Sequence, residues 1–142
     1  MSETSVPDAL IHAYQSTSYR VVSCRDPFIL RVGVPSKALS ELFQESGCRS
    51  AVFITADNPF GQMLSAKANA MRQERLANRL AALTEHVLEG EGQGDDKTWP
   101  PETSFLALGI GRDQACALGS QFEQNAIVWA DEDAIPELIL LR

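Results

Sequence analysis

The sequence predicts an α/β fold in one domain spanning residues 1–142. The expected core is a mixed, mostly parallel-centred β-sheet of about five to six strands with antiparallel hairpin edges, flanked by about four helices. Three observations carry this reading. Apolar, β-branched runs alternate with segments whose apolar residues recur at helical spacing, the pattern of strand–helix–strand units. The run "SAVFITA" (50–56) is almost continuously apolar, as suits a central strand covered on both faces. Short turn signals, "RDP" and "DEDAIP", separate pairs of strand-like runs as they do in hairpins.

The elements follow in order. "VPDALIHAYQS" (6–16) places Leu10, Ile11 and Tyr14 on one helical face behind Pro7 and Asp8. "YRVVSC" (19–24) and "FILRVGV" (28–34) predict a hairpin. Ser36 can cap "KALSELFQES", and Gly47 stops it. After the strand at 50–56, Ser65 caps a long helix expected to run to about Glu89. Leu76, Leu80, Leu83 and Val87 would form its core stripe. Residues 90–103, "GEGQGDDKTWPPET", read as a mobile surface loop, because three glycines, two prolines and a cluster of charges suit no element. "SFLALGI" (104–110) predicts a strand, "RDQACALGSQF" (112–122) a helix and "AIVWA" (126–130) a strand, with "ELILL" returning antiparallel to it. Helices between the strands at 50–56, 104–110 and 126–130 lead to the expectation of parallel pairing by crossover.

Nineteen acids against twelve bases give a net charge of −7. That disfavours nucleic acid, whose phosphates are bound by displacing counterions with lysine and arginine. No apolar stretch approaches the roughly 20 residues a membrane span needs. "MSETSVPDAL" has neither a basic nor an apolar leader region, so a cytoplasmic location is expected. Cys24, Cys48 and Cys116 make no C-x-x-C pair, and His12 and His86 are far apart, so no metal site is expected. Cys24 and Cys116 read as small buried hydrophobes. Nothing in the sequence implies a cofactor or fixes an oligomeric state.

"GIGRDQ" (109–114) tempts a dinucleotide reading, with Asp131 at the end of the following strand. The third glycine is replaced by Gln114, however, and two glycines suit any tight strand-to-helix turn. Asp95 and Asp96 lack the spacing of a calcium loop and read as solvated. The long helix is more informative. Lys67, Arg72, Arg75 and Arg79 crowd four of the twelve bases into thirteen residues, and Asn69 begins the Arg72 stripe. A helix N-terminus near Ser65 adds amides and a positive dipole beside the loop "TADNPFG". Against this, an Asn-Pro turn needs no ligand to justify it, and an arginine stripe is commonly a solvated face.

Several of these residues carry a family resemblance. "FITADNP", a following helix with Asn69, Trp99 and Glu102 ahead of "SFLALGI", and "FEQNAIVW" resemble the bacterial family DUF3293 over roughly residues 15–141. The marks of the resemblance are Thr55, Ala56, Asn58, Pro59, Asn69, the Trp99–Glu102 region and Gln124. It implies a single domain and no particular reaction.

Together these observations predict a pocket for a small anionic metabolite or nucleotide at the junction of the strand 50–56 and the helix 65–89. Thr55, Asn58, Asn69, Arg72 and Gln124 are its expected ligand-binding residues. Glu102 is the one candidate acid or base. In parallel strands Glu102 and Gln124 would start at the sheet edge opposite Asn58, so including them requires the Trp99 loop to fold back. The alternative is a non-catalytic protein–protein interaction module docking through the basic helix face and the acidic loop.

Overall fold

The computed structural model describes residues 4–23, 25–94 and 100–142. Within them the elements are α1 (Asp8–Ser16), β1 (Ser18–Val21), β2 (Phe28–Leu30), α2 (Lys37–Ser46), β3 (Ala51–Ile54), α3 (Ala66–Leu83), β4 (Val87–Gln93), β5 (Glu102–Leu108), α4 (Arg112–Gln121), β6 (Ala126–Ala130) and β7 (Glu137–Leu140). A single 3-10 turn, Pro59–Gly61, precedes α3.

The seven strands form one sheet in the order β2-β1-β4-β5-β3-β6-β7, and every neighbouring pair is antiparallel. This corrects both the parallel-centred sheet and the count of five to six strands. The strand–helix–strand connections that suggested parallel pairing do exist: α3 joins β3 to β4, and α4 joins β5 to β6. Each connected pair runs in one direction, but another strand lies between its members. β5 separates β3 from β4, and β3 separates β5 from β6. The two crossovers interlock, so the hydrogen-bonded neighbours are antiparallel although the helix-linked strands are co-directional.

A second correction concerns the long helix. α3 ends at Leu83, and Thr84 is already extended (φ −153°, ψ 151°). Leu76 and Leu80 are wholly buried, each contributing on the order of 2 kcal/mol. Leu83 is 42% exposed and Val87 belongs to β4, so the expected stripe breaks after Leu80. "VLEGEGQ", read as a helix end and a loop, is a strand paired with β1 and β5. Its glycine has a steric cause. A Cβ on Gly90 would lie 2.3 Å from the Arg20 carbonyl oxygen and 2.9 Å from the Phe53 ring. Gly90 is therefore where a backbone and an aromatic ring approach too closely for any side chain. Of the expected 90–103 loop, residues 95–99 (Asp95, Asp96 and Trp99 among them) lie outside the described residues, as does Cys24.

The remaining elements agree with the sequence reading. The Leu39 amide donates to Ser36 Oγ at the start of α2, and Gly47 ends the helix in the left-handed region. Ser65 Oγ accepts from the Ala68 amide at the start of α3. β1–β2 and β6–β7 are the two expected hairpins. "GIGRDQ" makes a tight turn: Gly109 has φ 84°, and the Ile110 carbonyl accepts from Trp129 Nε1.

The two faces of the sheet separate by alternation along each strand. Val52, Ile54, Phe105, Ala107, Ile127 and Trp129 face α3 and α4. Ala51, Phe53, Leu106, Leu108, Val128 and Ala130 share the other face with Leu39 and Phe43 of α2. α1 lies on this second side and buries none of its own residues. No helix among the described residues is long and apolar enough to cross a membrane.

The pairing of β4 makes a prediction whose sign is informative. Gly90→Ala is expected to destabilise the protein by about 1–3 kcal/mol through overpacking, whereas Gly92→Ala meets only ordinary contacts and stays within about 0.5 kcal/mol. In an exposed helix end the same Gly90→Ala change would stabilise. Urea denaturation of the two variants distinguishes these cases.

Candidate functional site

β3 ends at Ile54, and the chain then turns through Thr55, Ala56, Asp57 and Asn58 before the 3-10 turn. Because β5 and β6 run antiparallel to β3, both begin at the edge where β3 ends. Ile54 pairs with Phe105 and Phe53 with Val128. Glu102, Gln124 and Asn125 are thereby delivered to the same edge as Thr55 and Asn58, with no loop folding back.

Polar side chains fill this junction. Asn58 adopts a left-handed conformation (φ 50°, ψ 68°) that Asn tolerates better than most residues. Its amide N–H donates to Asn69 Oδ1 (3.0 Å), and its Oδ1 accepts from Asn69 Nδ2 (2.9 Å) and from the Leu64 amide (3.0 Å). Its Nδ2 donates to Glu102 Oε2 (3.0 Å). Asn69 therefore holds Asn58, and Asn58 holds Glu102.

Behind them lies Gln73, 7% exposed, which the sequence reading did not single out. Its Oε1 accepts from the Ala56 amide, and its Nε2 lies within bonding distance of Thr55 Oγ1, Asp57 Oδ1 and the Thr103 carbonyl. Asp57 is likewise buried, and its Oδ2 accepts from the Thr103 amide (3.1 Å). A signal was present. Asn69, Gln73, Leu76 and Leu80 are spaced four, three and four apart, so two amides occupy the first turns of the core-facing stripe of α3. A polar residue on such a stripe needs buried partners.

Arg72 does not face an anion pocket. Its Nε donates to the Ala56 carbonyl (2.7 Å), its Nη2 to the Phe122 carbonyl, and its Nη1 pairs with Glu123 (3.4 Å). Further along the same helix, Arg79 reaches Gln121 of α4. Gln124 is 8% exposed and donates from Nε2 to the Asp57 and Phe122 carbonyls (3.1 Å each).

This junction is one end of a cavity of about 530 Å³ between α1 and the sheet. Phe53, Ser104, Val128 and Leu138 form much of its floor, with Leu10 and Ala13 of α1 opposite. Of the expected site residues, Thr55, Asn58, Gln124 and Glu102 line it, while Asn69 and Arg72 do not. Tyr14 and Tyr19 also line it. The Tyr19 hydroxyl donates to the Tyr14 carbonyl (2.6 Å), and Asn125 Nδ2 donates to the Tyr14 hydroxyl (3.1 Å). Among the described residues, no lysine or arginine lines the cavity.

The electrostatics follow from burial. Removal from water pushes the Glu102 carboxyl up from 4.5 to about 7, and the nearby Asp57 charge adds to this against the lowering hydrogen bond from Asn58. Asp57 is raised by burial too, opposed by the Thr103 amide, Gln73 and Arg72. Burial likewise raises both tyrosine hydroxyls.

The family model described as "Protein of unknown function (DUF3293)" matches residues 54–127, just over half the chain. The matched stretch contains Thr55, Asp57, Asn58, Asn69, Gln73, Glu102 and Gln124. No curated protein and no solved structure matches the chain.

Two outcomes follow from this geometry. Gln73→Leu strands the Ala56 amide and Asp57 Oδ1 in the interior and is expected to cost about 2–4 kcal/mol, against about 0.5 kcal/mol or less for the exposed Arg75→Ala; denaturant titration reads both. The second concerns pH. A carboxyl raised in the folded state binds more protons there than in the unfolded chain, so its stabilising contribution is complete below its ordinary value and is lost as pH rises through about 7. Stability is therefore expected to fall by on the order of 2 kcal/mol between about pH 4.5 and pH 8. Glu102→Gln should flatten most of that slope, Asp57 supplying the remainder.

Proposed function

This chain belongs to the DUF3293 family, and we propose that it binds a small, mainly apolar molecule in the cavity between α1 and the sheet. The observation that carries the reading is the union of an apolar cavity with a single rigid polar end. About 530 Å³ lies in the range of small-molecule sites, which are mostly apolar with a few fixed polar groups. Here those groups are Glu102 and Gln124.

Backbone strain supports the same location. Asn58, Phe60 and Glu123 have positive φ (50°, 54° and 59°), and the Phe60 amide bonds the Glu123 carbonyl at 2.7 Å. Left-handed non-glycine residues cost about 1–3 kcal/mol each and persist where the surroundings over-determine them, commonly at binding sites. The expectation of an anionic ligand finds little support here. The cationic side chain it relied on is consumed by the Ala56 and Phe122 carbonyls, and the charge at the cavity's polar end is a carboxylate.

A fragment library screened by amide chemical-shift mapping tests the reading. Hits are expected to shift Phe53, Ser104 and Val128, and at a hundred times the dissociation constant to add about 2.7 kcal/mol of stability. Ala13→Phe, on the exposed α1 wall of the cavity, should lose the hits while the chain remains folded. Hits that map instead to the outer face of α3, or none at all, would sink the idea.

A further inference from the structure

The hydrogen-bond inventory of the cavity's polar end indicates which chemical group it is built to receive. Most of the polar atoms there are already engaged. Asn58 uses Oδ1, its backbone amide and one Nδ2 hydrogen within the protein. Thr55 Oγ1 donates to the Thr103 carbonyl and accepts from the Asp57 amide, and the Gln73 amide nitrogen also approaches it. Ser104 Oγ donates to the Glu102 carbonyl. Among the described residues, two side-chain oxygens at this end accept nothing: Glu102 Oε1, and Oε1 of Gln124, whose side chain is buried with its amide nitrogen fixed on two carbonyls. The unused donors there are the Tyr14 hydroxyl hydrogen and the second amide hydrogens of Asn58 and Asn125. A group seated against Glu102 Oε1 and Gln124 Oε1 must donate to them. A carboxylate there, with no lysine or arginine among the described residues of the cavity wall, favours a donor that also carries positive charge.

Resting on the cavity reading above, we propose that the ligand is a small apolar molecule ending in a protonated amine, with Glu102 as its counter-ion and Gln124 as a further acceptor. Asn58 is the positioning residue. Pinned by Asn69 and Leu64, it fixes Glu102 Oε2 and leaves Oε1 to the ligand. The apolar body lies along Phe53, Val128 and Leu138, and Gly92 and Gly94, which also line the cavity, present no side chain to it.

The charge on Glu102 then governs binding. The titratable groups facing it are Asp57 at the end of β3, His12 and Tyr14 on α1, and Tyr19 on β1. Arg72 stands behind Asp57, and Arg142 is bound to Asn125 Oδ1. Both tyrosine hydroxyls are raised and stay neutral across the working range. Desolvation of Glu102 places its proton uptake near 7, so the site loses its negative charge on mild acidification.

The test uses three compounds with one body: 4-phenylbutylamine, 4-phenylbutan-1-ol and 4-phenylbutanoate. Each is titrated into the full chain and followed by amide chemical shifts and calorimetry. Above about pH 8 the amine should bind at least about tenfold more tightly than the alcohol, and the carboxylate more weakly than either. Below about pH 7 the amine's affinity should fall by up to tenfold per pH unit while the alcohol's stays level. Glu102→Gln should abolish both the preference and the pH dependence, and His12→Gln should leave both in place. If Glu102→Gln does not fold, the pH series on the unaltered chain decides. An alcohol that binds as well as the amine while shifting Phe53 and Val128 overturns the amine assignment and leaves the cavity reading standing. So does a preference that survives Glu102→Gln. If no compound shifts the cavity amides in the millimolar range, the cavity reading falls, and the amine assignment with it.

Discussion

The register between β3 and β5 determines where the chemistry of this chain is concentrated. Ile54 opposes Phe105, so β5 begins beside the point where β3 stops, and the Thr55 hydroxyl extends the contact by donating to the Thr103 carbonyl. Glu102 sits one residue further back, within a hydrogen bond of Asn58. The pairing of Phe53 with Val128 does the same for β6 and brings Gln124 and Asn125 alongside. With parallel strands these residues would start at the opposite end of β3. At about 3.3 Å per residue, even that four-residue strand would hold them beyond the reach of any side chain. Antiparallel pairing is what brings three separate chain segments to one edge of the sheet.

Maintaining that site has a cost, and the side chains of α3 offset it. Asp57, Asn58, Gln73, Gln124 and Asn125 are all buried polar residues, a group of atoms that would be strongly destabilising if left unpaired. Each instead has named partners, and no fully enclosed side-chain nitrogen or oxygen among the described residues lacks one. Asn69 and Gln73, one helical turn apart, divide the work. Asn69 grips the left-handed Asn58, while Gln73 ties the end of β3 to the start of β5. Arg72, between them in sequence, clamps the Ala56 and Phe122 carbonyls from the other side. The loop is thus held by three consecutive side-chain anchors on one rigid helix, the arrangement a precisely positioned carboxylate needs.

Much of this was legible in the sequence, for identifiable reasons. The helix caps at Ser36 and Ser65, the stop at Gly47 and both hairpins follow from local chemistry, which a single sequence carries in full. Thr55, Asn58, Glu102 and Gln124 could be singled out as polar residues at strand ends, but that the last two share an edge with the first two could not, because it depends on strand direction. Strand neighbours were not legible, since the pattern of strands and helices records which strands are connected and not which strand slips between them. β4 was hidden because its two glycines imitate a loop, when Gly90 answers to the Phe53 ring and the Arg20 carbonyl in distant parts of the chain. Arg72 was misread for a related reason. A guanidinium near a helix N-terminus suits an anion, yet it suits two backbone carbonyls equally well, and only the path of residues 56 and 122 decides between them.

The cavity itself is a physical constraint on function. At about 24 cal/mol per Å³, a closed and empty apolar void of 530 Å³ would cost on the order of 10 kcal/mol, comparable to the whole stability of a domain this size. The space is tolerable because it opens to solvent and is held apart by built features. Tyr19 and Asn125 prop α1 through Tyr14, while Gly92 and Gly94 withhold side chains from the wall. α1 does not settle onto the sheet to bury its own face, although Leu10 and Tyr14 are already turned toward it. Any apolar wall left uncovered in this way represents hydrophobic free energy unrealised on folding, about 25 cal/mol for each Å² that a bound molecule would cover. The polar end adds the complementary term: a carboxylate already desolvated, whose cost has been met by the fold before any ligand arrives. Preorganisation of this kind leaves more of the contact energy available for binding. On the reading proposed above, a ligand's polar group sits at Glu102 and its apolar surface along Phe53 and Val128.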